Sequence, residues 1–152
     1  MRTVKNILDN KAKPFNQVSS TTLVIDALRL LNSINLSYLV VMEGDKYKGI
    51  FSERDYSRNV VLKGRHSDST TVQEVMTHDV PVVGLDHTVE QCMHLIDQHK
   101  TRYLLAFDEE KLVGVITIHD LLRQVLNDKE QVFDKVLAQR LVDEDEGEGK
   151  VY

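Results

Sequence analysis

The chain has 152 residues, enough for one ordinary domain or two small linked units, and a length that needs no disulfide staples. Hydrophobic residues at 41% and charged residues at 28% exclude wholesale disorder, and 19 basic against 24 acidic residues, net −5, exclude the general electrostatic footprint of a nucleic-acid binder. One cysteine, Cys92, can make neither an internal disulfide nor a thiolate metal cage, and no apolar run reaches the about 18 residues a membrane span needs.

Taken in chain order, the polar start Met1-Arg2-Thr3-Val4-Lys5-Asn6 lacks the apolar core of a secretory signal, so a cytoplasmic protein is expected. A short strand is predicted around Val18. A helix follows, with Thr21 placed to cap it and Leu23, Ala27, Leu30, Leu31 and Ile34 recurring at helical spacing. Tyr38-Leu39-Val40-Val41-Met42 reads as an apolar strand. The polar turn Glu43-Gly44-Asp45 leads to another strand over 47–52, so a hairpin is predicted. A second helix starts near Glu53. The polar run Lys63-Gly64-Arg65-His66-Ser67-Asp68-Ser69 is a linker.

The pattern then restarts. Residues 15–62 align without a gap on 80–127, and ten of these 48 pairs are identical, among them Tyr38/Tyr103, Gly49/Gly114 and Asp55/Asp120. Thr3-Val4 likewise matches Thr71-Val72. The second copy has a strand at Val80, Val82 and Val83, then a helix capped by Asp86 and faced by Val89, Cys92, Met93, Leu95 and Ile96. A hairpin over 103–117 and a helix from Ile118 complete it. The predicted organisation is a first repeat over 1–64, a linker over 65–70, a second repeat over 71–128, a C-terminal helix over 129–142 and an acidic, disordered tail over 143–152. Each repeat is β-α-β-β-α. Such a unit cannot cover both faces of a three-stranded sheet, which predicts a mixed α/β (α+β) fold with two units packed sheet-to-sheet.

Chemistry concentrates in two matching segments, Gly49-Ile50-Phe51-Ser52-Glu53-Arg54-Asp55 and Gly114-Val115-Ile116-Thr117-Ile118-His119-Asp120. Each is an apolar strand ending in a hydroxyl, a helix opening, and an aspartate in the first turn. A helix start offers N–H donors to phosphate, and a carboxylate can accept from a ribose diol. Gly49 and Gly114, without a Cβ, admit a flat ligand or another chain. The competing reading is structural: Ser or Thr followed three residues later by an acid is close to a capping box. Cys92 lies on the apolar face of a helix, as a buried structural thiol would. His66, His78, His87, His94, His99 and His119 lack H-x-x-x-H spacing, so no metal site is expected.

Tandem β-α-β-β-α units ending in G-h-h-[ST]-x-x-D, where h is apolar, resemble a pair of CBS domains, named for cystathionine β-synthase. Thr71-Val72-Gln73-Glu74-Val75-Met76-Thr77 is similar to the family's opening, and Phe51-Ser52-Glu53-Arg54-Asp55-Tyr56 resembles a stand-alone subgroup related to the regulatory pair of inosine-monophosphate dehydrogenase. The resemblance implies a non-catalytic regulatory module that binds an adenosine-containing ligand in the cleft between repeats. AMP, ADP or ATP would be the first choices, with NAD(H) and S-adenosylmethionine as further ones. It implies Asp55 and Asp120 on ribose hydroxyls, and Ser52 and Thr117 on phosphate or ribose oxygens. Ile50 and Val115 would line the adenine slot beside Tyr38 and Tyr103, and Arg54, His119 and Arg102 would face phosphate. The family often has Pro where Val40 and Leu105 stand. A homodimer, an unidentified regulated partner protein, and no nucleic-acid or membrane partner are expected. The alternative is a structural or interaction module that binds no ligand.

Overall fold

The computed structural model describes residues 2–127 and, beyond them, 137, 139–141 and 143. Among these residues the chain forms two compact units, one joining residues 2–14 to 81–127 and beyond, the other spanning 15–80. No helix among the described residues is long and apolar enough to cross a membrane.

The 15–80 unit carries β1 (Gln17–Ser19), α2 (Val24–Ile34), β2 (Tyr38–Glu43), β3 (Lys46–Ser52) and α3 (Glu53–Asp55), with a π-helical segment, Tyr56–Val61, continuing from α3. Its sheet has the order β1-β2-β3, parallel then antiparallel. Strand alternation sends Leu39, Val41 and Phe51 into a core with Val24, Ala27 and Leu31 of α2. Phe51 is wholly buried, and a side chain of that size stabilises by roughly 1.5–3 kcal/mol. The other unit repeats the plan with α1 (Val4–Asp9), β4 (Val82–Val83), α4 (Val89–His99), β5 (Tyr103–Asp108), β6 (Lys111–Thr117) and α5 (Ile118–Asn127), sheet order β4-β5-β6. Leu104, Ala106 and Ile116 pack on Cys92, Met93 and Ile96 of α4. Both hairpins shift register at the same place, between Val41/Met42 and between Ala106/Phe107.

The units cut the chain by packing rather than by repeat. The segment leading into each repeat docks on the sheet of the other. Val4 and Ile7 of α1 bury in the core formed by α4, β5 and β6, whereas Val72 and Val75 bury in the core of the 15–80 unit. Residues 1–14 were expected with the first repeat and 71–80 with the second, so the packing boundary differs from the repeat boundary. The reason is backbone pairing. Val4 N–H donates to His87 O at 2.9 Å and Val89 N–H to Arg2 O at 3.1 Å; in the other unit Val72 N–H donates to Thr22 O at 2.9 Å and Val24 N–H to Thr70 O at 2.8 Å. The same pairing explains a correction at the helix starts. Neither Thr21 nor Asp86 caps a helix. Leu23 and Thr88 hold the N-cap positions; Thr88 Oγ1 accepts from Gln91 N–H, while α2 has no side-chain cap because Thr70 and Ser67 carbonyls take its first N–H groups.

Leu137, Gln139, Arg140, Leu141 and Asp143 are helical, and Leu137 and Leu141 bury against the second repeat's core. Asp143, placed by sequence in the tail, accepts from Gln139 Nε2 at 2.8 Å. The rest of the helix expected over 129–142 and of the tail expected over 143–152 lies outside the described residues.

Candidate functional site

Each sheet ends in a strand–helix corner where the singled-out residues meet. In the 15–80 unit, Tyr38 of β2 stands opposite Ser52 of β3, and Ile50 opposite Val40. Ser52 is the N-cap of α3, and Arg54 and Asp55 follow in its single turn. The Ser37 carbonyl accepts the Glu53 N–H at 3.1 Å and closes the corner. In the other unit Tyr103 stands opposite Thr117, Val115 opposite Leu105, and the Arg102 carbonyl accepts the Ile118 N–H at 3.1 Å. His119 and Asp120 occupy the first turn of α5. Thus Tyr38, Ile50, Ser52, Arg54 and Asp55 gather at one corner, and Arg102, Tyr103, Val115, Thr117, His119 and Asp120 at the other.

Among the described residues the aspartates are the buried charged side chains, 4% exposed at Asp55 and 8% at Asp120. Burying a carboxylate demands donors. Asp55 Oδ2 accepts from the Ser52 N–H at 2.8 Å and the Ser52 hydroxyl at 2.9 Å, and Asp55 N–H donates to Ser52 Oγ at 3.3 Å. Asp120 Oδ2 accepts from the Thr117 N–H at 2.9 Å, and Asp120 N–H donates to Thr117 Oγ1 at 3.2 Å. The capping box weighed in the sequence is therefore built at both corners.

Two further residues, which the sequence did not single out, complete these carboxylates. Thr77 donates its hydroxyl to Asp55 Oδ1 at 2.7 Å, and Lys11 places its ammonium 2.9 Å from Asp120 Oδ2. Both lie on the lead-in segments. Their signal was faint: Thr77 ends the quoted opening motif, while Lys11 has no counterpart of its own kind in the second copy. A carboxylate–ammonium pair this enclosed nets little stability, because desolvation offsets attraction, yet removing one partner strands the other.

The two glycines are explained by the same segments. A Cβ on Gly49 would sit 2.8 Å from Met76 Sδ and 2.9 Å from the Thr77 carbonyl oxygen, and one on Gly114 would fall on a Leu8 methyl. Another stretch of chain, rather than open space, fills the room each glycine leaves. Cys92 is fully buried and its thiol is pushed up to about 12 by burial, away from the thiolate a nucleophile needs. Among the described residues no three His, Cys, Asp or Glu side chains converge as metal ligands would.

The CBS-domain family model matches residues 4–61 and 72–127. A mitochondrial CBS domain-containing protein of Arabidopsis thaliana, CBSX3, is 25% identical over 145 residues, covering 90% of this chain and 70% of the relative. A solved structure of a protein with CBS domains from Burkholderia ambifaria MC40-6 is 37% identical, covers 86% of this chain and 98% of its own, and superposes with a TM-score of 0.77. CBSX2 in complex with AMP, at 24% identity and a TM-score of 0.66, shares the fold over 83% of this chain and 97% of its own.

Proposed function

The chain belongs to the CBS-domain family, carrying two such domains, and from that premise we propose that it is a regulatory module that binds adenosine-containing ligands and reports their level to a partner protein. The observation that carries this reading is the repetition of one buried carboxylate beside one hydroxyl and one tyrosine, at Asp55, Ser52 and Tyr38 and again at Asp120, Thr117 and Tyr103. A cap alone needs no buried acid, since an exposed one also interacts with the helix dipole. CBSX2, which has this fold, was solved with AMP. AMP, ADP and ATP are the first candidates, ahead of NAD(H) and S-adenosylmethionine.

In this reading the ribose hydroxyls bond to Asp55 or Asp120, and Ser52 and Thr117 hold ribose or phosphate oxygens. Ile50 and Val115, with Tyr38 and Tyr103, line the base, and Arg54, Arg102 and His119 serve the phosphates. Binding favours one conformation of the module, which a partner reads. The module is not an enzyme; its single thiol is buried with its pKa raised, which supports this. The low cysteine content agrees with a cytoplasmic setting. Val61 and Leu126 occupy matching positions in the two repeats and are 53% and 78% exposed, with Leu62 at 77%. Exposed apolar side chains at matching helix ends support a homodimer. A monomer in light scattering would remove the dimer.

Calorimetry with AMP, ATP, NADH and S-adenosylmethionine tests the ligand reading on the wild type, Asp55→Ala, Asp120→Ala and the double variant. A charge-assisted hydrogen bond contributes about 1.5–3 kcal/mol, so losing one lowers affinity at its corner at least about tenfold. At least one ligand should bind the wild type and none the double variant. A wild type that binds nothing leaves the interaction module as the function.

A further inference from the structure

The two corners are closed by different chemistry, and the difference says which one opens. At the Asp55 corner the lead-in segment forms a two-way backbone bridge with β3. Ile50 N–H donates to Thr77 O at 2.9 Å, Thr77 N–H donates to Ile50 O at 2.8 Å, and the Thr77 hydroxyl takes Asp55. The strand carbonyl and the carboxylate are thus both satisfied by one residue fixed through its main chain. At the Asp120 corner the facing residue is Pro14. Val115 N–H donates to Pro14 O at 3.3 Å, but proline has no N–H to return. The Val115 carbonyl takes its donor from the Lys11 ammonium instead, at 3.0 Å, and the same ammonium takes Asp120 Oδ2 at 2.9 Å. One swinging side chain therefore does here what a backbone bridge does at the other corner.

We propose that Lys11 is an internal latch on the Asp120 corner: its ammonium occupies the strand carbonyl and the carboxylate that a nucleoside needs, and nucleoside binding displaces it. The inference rests on the nucleotide reading above and goes beyond it, because it makes the corners unequal. Displacing Lys11 needs only rotation about its own side-chain bonds, and the side chain as a whole keeps 20% exposure. Opening the Asp55 corner needs a backbone bridge to part.

Adenosine is the probe, because an uncharged ligand gains nothing from a nearby ammonium. Titration calorimetry should show Lys11→Met binding adenosine at least about fivefold more tightly than the wild type, at the low end of ordinary site coupling. The gain should vanish in Lys11→Met/Asp120→Ala and persist in Lys11→Met/Asp55→Ala. Equal or weaker binding by Lys11→Met overturns the latch alone, whereas no adenosine or AMP binding by wild type or variant overturns the nucleotide reading with it. A second measurement leaves the sequence intact, in case the variant with an uncompensated Asp120 fails to fold. Reductive methylation of the wild type, read by peptide mass spectrometry, should modify Lys11 faster with saturating adenosine while Lys5 and Lys13 stay unchanged. Unchanged or slower modification of Lys11 would falsify the latch.

Discussion

The two lead-in segments start alike and finish differently. Thr3 bridges Thr88, and Thr71 bridges Leu23, at matching positions ahead of α4 and α2. From there one segment forms a short 3-10 turn, Val72–Glu74, and lies flat on β3, while the other forms the six-residue helix α1 and continues to Pro14. The first brings backbone to its aspartate; the second brings a long side chain. A duplicated unit keeps the pairing that its core requires, through buried Val4 and Val72. It diverges where a side chain can substitute for main-chain bonds. The acid-bearing corners also differ behind the aspartate, where Tyr56–Val61 winds as a π-helix and Ile118–Asn127 as an α-helix.

Alkaline pH gives the largest contrast between the units, because desolvation makes one group in each hold its proton longer, Cys92 in one and Tyr47 in the other. Burial pushes the Cys92 thiol from 9.0 up to about 12, and the Tyr47 hydroxyl from 10.0 up to about 12. In both the folded state holds the proton longer than the unfolded chain does. The stability from Cys92 is therefore complete below pH 9 and declines as pH climbs toward 12. At pH 11, two units above the unfolded thiol's value, the loss is about 2–3 kcal/mol at 1.36 kcal/mol per unit. Melting curves at pH 8 and pH 11 should show a smaller drop for Cys92→Ala than for the wild type. Tyr47→Phe should shrink it less, since the phenol starts to ionise a unit later. Equal drops in all three proteins would mean that neither burial matters.

Next in size is the pair of glycines. In Gly49→Ala the new methyl meets the Thr77 carbonyl oxygen at 2.9 Å, a backbone atom held by the two-way bridge. In Gly114→Ala the nearest atoms are side-chain atoms of half-buried Leu8, the far end of a flexible side chain that yields more readily than backbone. Overpacking that cannot relax costs roughly 1–3 kcal/mol, so Gly49→Ala should lose about 2 kcal/mol and Gly114→Ala less than about 1 kcal/mol. Urea denaturation reads both. A larger loss at Gly114 would show that the α1 segment is held as rigidly as the Thr77 bridge.

These contrasts also mark how far the sequence could be read. The strands, α2, α4, α5 and both hairpins follow from local periodicity, and the repeat doubled most such signals, but α1 over Val4–Asp9 was not read. Ser52, Asp55, Thr117 and Asp120 were legible because their spacing is local. Lys11 meets Asp120 across 109 residues, and no periodicity carries a contact of that kind. The cap of α2 failed for the same reason: what satisfies its start is the linker carbonyls of Ser67 and Thr70, not the nearby Thr21, whereas at α4 the cap is local and falls on Thr88, two residues after Asp86. Gly49 and Gly114 announced a close approach, but the choice between ligand and chain needed the lead-in segments in place. The π-helical turn after Asp55 has no sequence mark that we can identify.

The smallest contrast lies at the helix ends. α2 and α4 both finish in a left-handed residue, Asn35 at φ 55° and Lys100 at φ 51°, whose N–H groups donate to Leu31 O and Ile96 O. An L-residue in that conformation costs about 1–2 kcal/mol, and asparagine, with a short polar side chain, is one of the few that visits it routinely. Lysine is not among those residues. Glycine would relieve the strain but adds about 0.4–1 kcal/mol of unfolded-chain freedom, leaving a net gain near 0.5 kcal/mol at Lys100 and near zero at Asn35. Losing the lysine also removes an ion pair with Asp97 at 3.4 Å, which contributes little because the lysine side chain is 63% exposed. Asp97 keeps Arg140 as a partner. Lys100→Gly should therefore raise the melting temperature by about 1–2 °C, given about 2–4 °C per kcal/mol for a chain of this size, while Asn35→Gly leaves it in place. If both glycines destabilise equally, the left-handed lysine is not strained and the two helix ends are equivalent after all.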